Sequence, residues 1–261
     1  MDLKSIKNRL EAMNTKSNSG EKKPNNRFKP AVGKQVIRVV PNKFDKQNPF
    51  TEVLVYYGIG KRVMISPTTW GEKDPIVDFT KVLRKSSDKD NWKMAGKLSP
   101  KMRVFVPVIV RGEEDKGVKL WEFGKEMYMD FLNLADNEDI GDFTDIVEGR
   151  DITITTVGPE TTGTEYNKSS IMPRTKQTPL SEDKALVKKW LDEQPNPVEG
   201  FTKYSFDEMK AALQEYLSPS EEEEKAEVEA DEPETIVAPK AAAVAKTSKA
   251  SKFENLFNEG K

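Results

Sequence analysis

A mainly β, α+β fold is what the sequence predicts, on three observations. Short segments rich in β-branched residues recur along the first 160 residues, bounded by Gly and Pro: 35–40, 51–57, 102–110, 117–123 and 151–157. One clearly amphipathic helical stretch, 125–135, is interposed among them, too little helix for a doubly wound sheet. The remaining helical periodicity lies later, at 181–193 and 205–217. Several short strands around one helix fit a five-stranded barrel of the OB type with peripheral helices.

Taken in order, residues 2–13 place Leu3, Ile6, Leu10 and Met13 on one helical face, with Lys4, Lys7 and Arg9 around it. Residues 14–33 are rich in Asn, Ser, Lys, Gly and Pro and read as a flexible basic arm. Gln35–Val40 and Thr51–Tyr57 follow as strands. Lys61–Ile65 is a third strand candidate, joined to the second through Gly58 and Gly60. Residues 67–100 are polar and irregular, with helical character near Ile76–Leu83. The strand pair 102–110 and 117–123 leads into Lys125–Ala135, which sets Tyr128, Phe131, Leu132 and Ala135 on one face. Asp151–Val157 alternates isoleucine with threonine as a further strand. Leu186, Val187, Trp190 and Leu191 define an apolar helix face. Ser205-Phe-Asp-Glu208 is a capping box opening a second helix, with Met209, Ala212, Leu213, Tyr216 and Leu217 on one side. Beyond Pro219 the chain turns acidic and then Ala/Lys-rich, the composition of a disordered linker. The boundaries are therefore a basic arm over 1–32, a core over 33–217 and a tail over 218–261.

Composition excludes several chemistries. The chain has no cysteine and no histidine, so disulfides, thiolate or imidazole zinc sites, a Cys nucleophile and a Ser-His-Asp arrangement are all ruled out. No phosphate-binding glycine loop, dinucleotide fingerprint or nucleophile elbow is present. No run of about 18 apolar residues offers a membrane span, so a cytoplasmic protein without a membrane partner is expected. The net charge of −2 conceals segregation: residues 1–46 hold 12 Lys/Arg against 4 Asp/Glu, and residues 81–125 hold 12 against 6. Residues 130–166 hold 1 against 10, and residues 220–235 hold 1 against 9. Such a pattern suggests a polyanion-binding surface beside an acidic competitor.

The pair 102–123 carries the chemistry. Met102, Val104, Val106, Val108 and Val110 share one face of the first strand, and Arg103, Phe105 and Arg111 the other. In the second strand Val118 and Leu120 oppose Lys119, Trp121 and Phe123, with Lys125 following. Aliphatics suit a core, whereas rings alternating with cations suit single-stranded nucleic acid, whose bases stack and whose phosphates pair. The competing arrangement puts Phe105, Trp121 and Phe123 under a helix with the cations as a rim. Tyr56, Tyr57, Lys61 and Arg62 form a second ring–cation group in which the two tyrosines face opposite ways. Trp92, Lys97 and Lys101 precede the pair in an expected loop, and Tyr166 sits in a polar loop. The carboxylates Asp136, Glu138, Asp139, Asp142 and Asp145 permit a weaker magnesium-dependent nuclease reading. Ser251-Lys-Phe-Glu-Asn-Leu-Phe is a second capping box, whose Phe253, Leu256 and Phe257 suit a partner-docking peptide.

These residues resemble the single-stranded-DNA-binding protein family of T-even-type bacteriophages over about residues 33–180. The segments that carry the resemblance are Gln35-Val-Ile-Arg-Val-Val-Pro-Asn, Pro49-Phe50, Tyr57-Gly, Pro107-Val-Ile-Val-Arg, Gly117-Val-Lys-Leu-Trp-Glu-Phe-Gly-Lys, Glu148-Gly-Arg-Asp-Ile-Thr-Ile and Tyr166-Asn-Lys-Ser. The resemblance implies an OB-type core lined by aromatic and basic residues. Trp121, Phe123, Tyr166, Lys97 and Lys101 match family positions of that kind. It also implies a basic N-terminal arm for cooperative self-association, here Lys4-Ser5, Lys7 and Arg9, and an acidic tail that recruits replication and recombination proteins. The family's best-known member carries a Cys/His zinc subdomain where residues 60–95 lie here, and this stretch has neither residue type. The expected function is non-catalytic, cofactor-free coating of single strands in phage replication, recombination and repair, using Arg38, Tyr57, Lys61, Arg62, Lys97, Lys101, Arg103, Phe105, Lys119, Trp121, Phe123, Lys125 and Tyr166. A scaffold protein contacting duplex DNA is the remaining alternative.

Overall fold

The computed structural model describes residues 26–60, 63–199, 201–218, Phe253 and Phe257. Eight strands form one sheet: β1 (Arg27–Phe28), β2 (Gly33–Val39), β3 (Thr51–Tyr56), β4 (Met64–Ile65), β5 (Lys101–Val110), β6 (Lys119–Gly124), β7 (Arg150–Val157) and β8 (Lys168–Gln177). Their order is β1-β6-β5-β2-β7-β8, with β3 added to β5 and β4 to β3. The helices are α1 (Pro75–Arg84), α2 (Lys89–Lys97), α3 (Lys125–Ala135), α4 (Pro159–Thr162), α5 (Lys184–Asp192) and α6 (Phe206–Leu217). The class is α+β, as the sequence predicts.

Strand β5 organises the sheet. Residues 103–108 pair with β6 along one edge, while 101–105 pair with β3 and 108–110 with β2 along the other. The ladders among the described residues run open from β1 to β8, and do not trace the closed five-stranded barrel. Both outer strands fall where the sequence reads as loop or arm. Strand β8 has Lys168, Arg174, Lys176 and Pro173, and only every second residue of its first part is half-buried. Charge and proline on an exposed edge discourage pairing with another chain, and they also erase the apolar signature of a strand. At the other edge, β1 adds in parallel to β6 and buries Phe28 against Trp121.

Register decides where the central rings go. In the antiparallel β5–β6 ladder, Val104 opposes Phe123 and Val106 opposes Trp121. Opposed residues share a face, so β6 delivers its rings to the valine side of β5. Gly124 then turns the chain directly into α3, which folds back over that face. Phe123 stacks on Phe131 of α3 at 5.4 Å, and Trp121 meets Phe131 at 5.7 Å. Trp121 is 2% exposed and Phe123 7%. The expectation that these rings look outward into a cationic trough is therefore overturned: they belong to the core, with Phe28, Phe50, Tyr128 and Phe143 around them. Phe105, on the opposite side of β5, is equally closed off at 1% exposed, beneath Phe201 and beside Val53, Val55 and Ile65.

A second core lies beside the sheet, between α1, α2 and α6. It joins Ile76, Phe79 and Leu83 to Ala95, Leu98, Met209, Leu213 and Leu217, with Tyr56 and Met64 from the strands and Ile59 from the connection between them. Residues 89–97, read as loop, are helical because Asp88 caps Asp90 N at 2.9 Å and Ala95 packs inward. Asp74 caps α1, accepting from Ile76 N at 2.8 Å and Val77 N at 3.3 Å. Its other oxygen accepts from Tyr56 Oη at 2.8 Å and from Ser66 Oγ. Every lone-pair direction of this buried carboxylate is thereby used, which is what makes its burial tolerable. Burial, and then the Asp74 charge, push the Tyr56 phenol far above its ordinary value. Ser205 and Glu208 form the expected capping box of α6.

Candidate nucleic-acid interface

The sheet does present an aromatic–cationic row, built from other residues than the buried rings. Tyr57 follows the end of β3 and is 45% exposed. Arg103 of β5 donates from Nε to Tyr57 Oη at 2.8 Å, and its guanidinium lies 5.5 Å from the tyrosine ring centre. Glu122 of β6 comes next, 3.9 Å from Arg103 and 2.7 Å from Arg27 of β1. Arg27 lies 5.0 Å over the Phe105 ring and 5.9 Å from Phe201. Trp70, packed against the same cluster as Phe201, carries Lys203 at 5.6 Å from its ring. Tyr57, Arg103 and Arg27 thus share one face with half-buried Phe201 and Trp70 while Phe105 stays closed beneath Arg27, so the reachable rings can stack bases as the cations pair phosphates. Lys101 shares the face of Arg103 two residues away, and Lys97 precedes it at the end of α2. Both are exposed, as is Lys125 at the start of α3 beside Gly124, which pairs with Arg103.

A separate shallow depression lies at the far end of β5. Lys34, Gln35, Val36, Val110, Arg111, Gly112, Glu113 and Arg174 line it. One of its cations, Arg111, and the lysines next to its Glu113 are already engaged. Arg111 grips the Asp151 carboxylate through Nε and Nη2 and donates to Leu180 O. Lys119 is held by Glu113 at 2.6 Å, and the hydrogen bonds from Lys119 and Lys116 hold the Glu113 carboxyl below the usual carboxylate range.

With this geometry in view, the chain matches the family model described as gp32 DNA binding protein like over residues 31–218. It belongs to that family. Among curated proteins none matches. Membership in the gp32-like family makes DNA the ligand to which the row must be compared.

Several residues expected in a gp32-like cleft lie elsewhere. Arg38 is completely buried. Its Nη2 donates to Asp145 O at 2.8 Å and Thr178 O at 2.7 Å, and Nη1 lies 3.4 Å from Asp151. Burial pushes its pKa down and Asp151 opposes that shift. A guanidinium spent on tying β2 to the 145–151 loop and to the end of β8 is not open to a phosphate. Gly149 is required at this knot, because a Cβ there would stand 2.5 Å from Arg38 Nη2 and 2.3 Å from Asp145 O. Tyr166 is 75% exposed, but at the tip between β7 and β8, away from the row. Lys61, Arg62, Lys4, Ser5, Lys7, Arg9 and Leu256 lie outside the described residues. Four members of the row were missed in the sequence: Arg27, Trp70, Phe201 and Lys203. Each is an isolated ring or cation in a polar segment, and only the tertiary fold places them in line. Phe201 and Lys203 in Phe-Thr-Lys-Tyr gave the one local hint.

A thiolate or imidazole zinc site does not fit, since the chain has neither ligand. The helical core and the Asp74 knot occupy that stretch. Among the described residues no three carboxylates converge as metal ligands. Asp145 instead accepts from Val147 N and Glu148 N, which hold its carboxyl below the usual range, and Asp142 accepts from Thr144 N and Oγ1. No described helix is long and apolar enough to cross a membrane.

Proposed function

We propose that this protein binds single-stranded DNA without reading its sequence and without catalysis, along the row from Tyr57 through Arg103 and Arg27 to Phe201. The observation that carries the reading is the contact series Tyr57–Arg103–Glu122–Arg27, an exposed ring and two guanidinium groups on the sheet, with half-buried Phe201 beside Arg27 and the buried Phe105 ring beneath it. Paired bases in a duplex keep their faces inside the stack, so exposed rings favour an unpaired strand. Lys97, Lys101 and Lys125 supply further charge at the Tyr57 end. The β-rich core serves as an OB-type platform in this reading. Glu122 acts as a resident anion that a phosphate displaces.

The finer roles follow from charge. The basic arm, including Lys4, Ser5, Lys7 and Arg9, touches the neighbouring protomer and makes binding cooperative. The acidic run 220–235 competes with DNA and recruits replication and recombination proteins. The setting is phage DNA replication, recombination and repair in the host cytoplasm. Fluorescence anisotropy with labelled single-stranded DNA, duplex DNA and RNA at two salt concentrations tests the core claim. Single strands are expected to bind tightest, and their affinity to fall steeply with salt. Equal affinity for duplex would favour the scaffold alternative and refute the row as a stacking surface.

A further inference from the structure

The last two aromatic residues of the chain do not hang free. Phe253 is 4% exposed and sits in the second core, with its ring centre 6.0 Å from that of Phe79 on α1. Phe257 packs on Phe253 at 4.9 Å and meets Phe206 of α6 edge-on at 6.1 Å. Lys210 of α6 holds its ammonium 4.9 Å from the Phe257 ring centre. Both phenylalanines have helical backbone and stand four residues apart, so they share one face. A helix this short is not stable alone in water, so its form depends on what it packs against. The walls that receive it come from α1, α2 and α6: Ile76, Leu83, Ala95, Leu98, Met209 and Leu213.

We propose that the groove between α1 and α6 is a docking site for this chain's own C-terminal peptide, occupied in cis and releasable. Leu217, at the end of α6, and Phe253 belong to the same cluster. The intervening residues 219–252 therefore leave one apolar layer and return to it, and the acidic run lies within that closure. Closing a connection of this length costs only slightly more than closing a shorter one, and the link gives the peptide an effective concentration on the order of millimolar. A groove of micromolar to submillimolar affinity is then mostly filled by its own chain. Two rings and one cation–π contact suit that range better than permanent closure. The sequence assigned Phe253 and Phe257 to a partner, and in this arrangement a partner has to displace them first.

Two measurements test this. A fluorescein-labelled peptide of residues 249–261 is titrated against the full chain and against the full-length Phe253→Ser/Phe257→Ser variant. Binding to the variant is expected to be about tenfold or more tighter, because the native chain competes from within. Equal binding to both, or none to either, overturns the proposal. The second measurement keeps the clasp intact. Because the chain has no cysteine, Asp207→Cys, next to Phe206, and Asn258→Cys, next to Phe257, form a unique pair for a short bismaleimide. Cross-linked monomer at low protein concentration supports docking in cis. Cross-linked dimer, meaning that the groove takes a second copy, overturns it, as does absence of any cross-link. Neither measurement involves DNA, so its outcome is independent of the single-strand reading.

Discussion

Two aromatic residues of the expected site part company in the structure, one buried and one exposed, and each carries a separate prediction. Trp121 was the sequence's best stacking ring and is instead packed by Phe28, Phe123 and Phe131. Trp121→Ala should cost about 3–5 kcal/mol in urea unfolding, as large-to-small changes do in packed cores. Tyr57 is the ring that a base can reach. Tyr57→Ala should leave the unfolding midpoint almost unchanged and weaken single-strand binding by about 1–3 kcal/mol, the usual contribution of one stacked base. Tyr57→Phe keeps the face and loses only the Arg103 hydrogen bond, so it should retain most of the affinity. If Tyr57→Ala bound as well as the parent in anisotropy titrations, the row would not be the stacking surface. Glu122 makes a third case. It neutralises both Arg27 and Arg103 across an exposed surface, where such pairs contribute little to stability. Glu122→Gln should therefore leave folding nearly intact and raise affinity for single strands severalfold at low salt, with the gain fading as salt screens the charge.

At the level of elements, much of the architecture was legible because its periodicity is local. Lys125–Ala135 carries apolar residues at helical spacing, and the helix occupies the same bounds. The valine face of β5 and the Ser205–Glu208 capping box were equally plain. What could not be read was register. Alternation assigned Trp121 and Phe123 correctly to one face of β6, but only the pairing with Val106 and Val104 says which side of the sheet that face joins. Strand β8 was hidden by its own edge chemistry. The helical core was half legible: helical character shows near Ile76–Leu83, whereas α6 and Phe253 arrive from far along the chain. The polar knot that supports this core gives an alkaline signature. The folded Tyr56 phenol is held protonated well past its ordinary value of 10.0, while the unfolded chain ionises there. A raised folded pKa contributes stability that is present below the unfolded value and is lost as pH climbs above it. Tyr56→Phe should lower stability at neutral pH by about 1.5–3 kcal/mol, because Asp74 loses a donor to a charged group. It should also flatten the fall in stability above about pH 10 relative to the parent. An unchanged alkaline slope in urea titrations would show that Tyr56 ionises normally.

Across the whole molecule, charge separates into two basic places, and salt dependence can tell which one a strand uses. The row offers Arg27, Lys101, Arg103 and Lys203, with Glu122 and Glu72 as weak resident partners on the surface. The depression at the far end of β5 offers Lys34 and Arg174, since Arg111 is committed to Asp151. Each phosphate neutralised by a cation releases counterions, and for single strands the slope of log affinity against log salt is about −0.7 per contact. Arg27→Gln with Arg103→Gln should therefore flatten the slope by about 1.4 while weakening binding to all sequences alike. Lys34→Gln with Arg174→Gln removes the same formal charge from the same sheet, so it is a matched control for net charge and long-range attraction. If the strand is confined to the row, that second pair should shift affinity slightly at low salt and leave the slope unchanged. The reverse result would move the binding path to the β2–β8 end, beneath Tyr166, and equal flattening by both pairs would mean that the strand crosses the entire sheet.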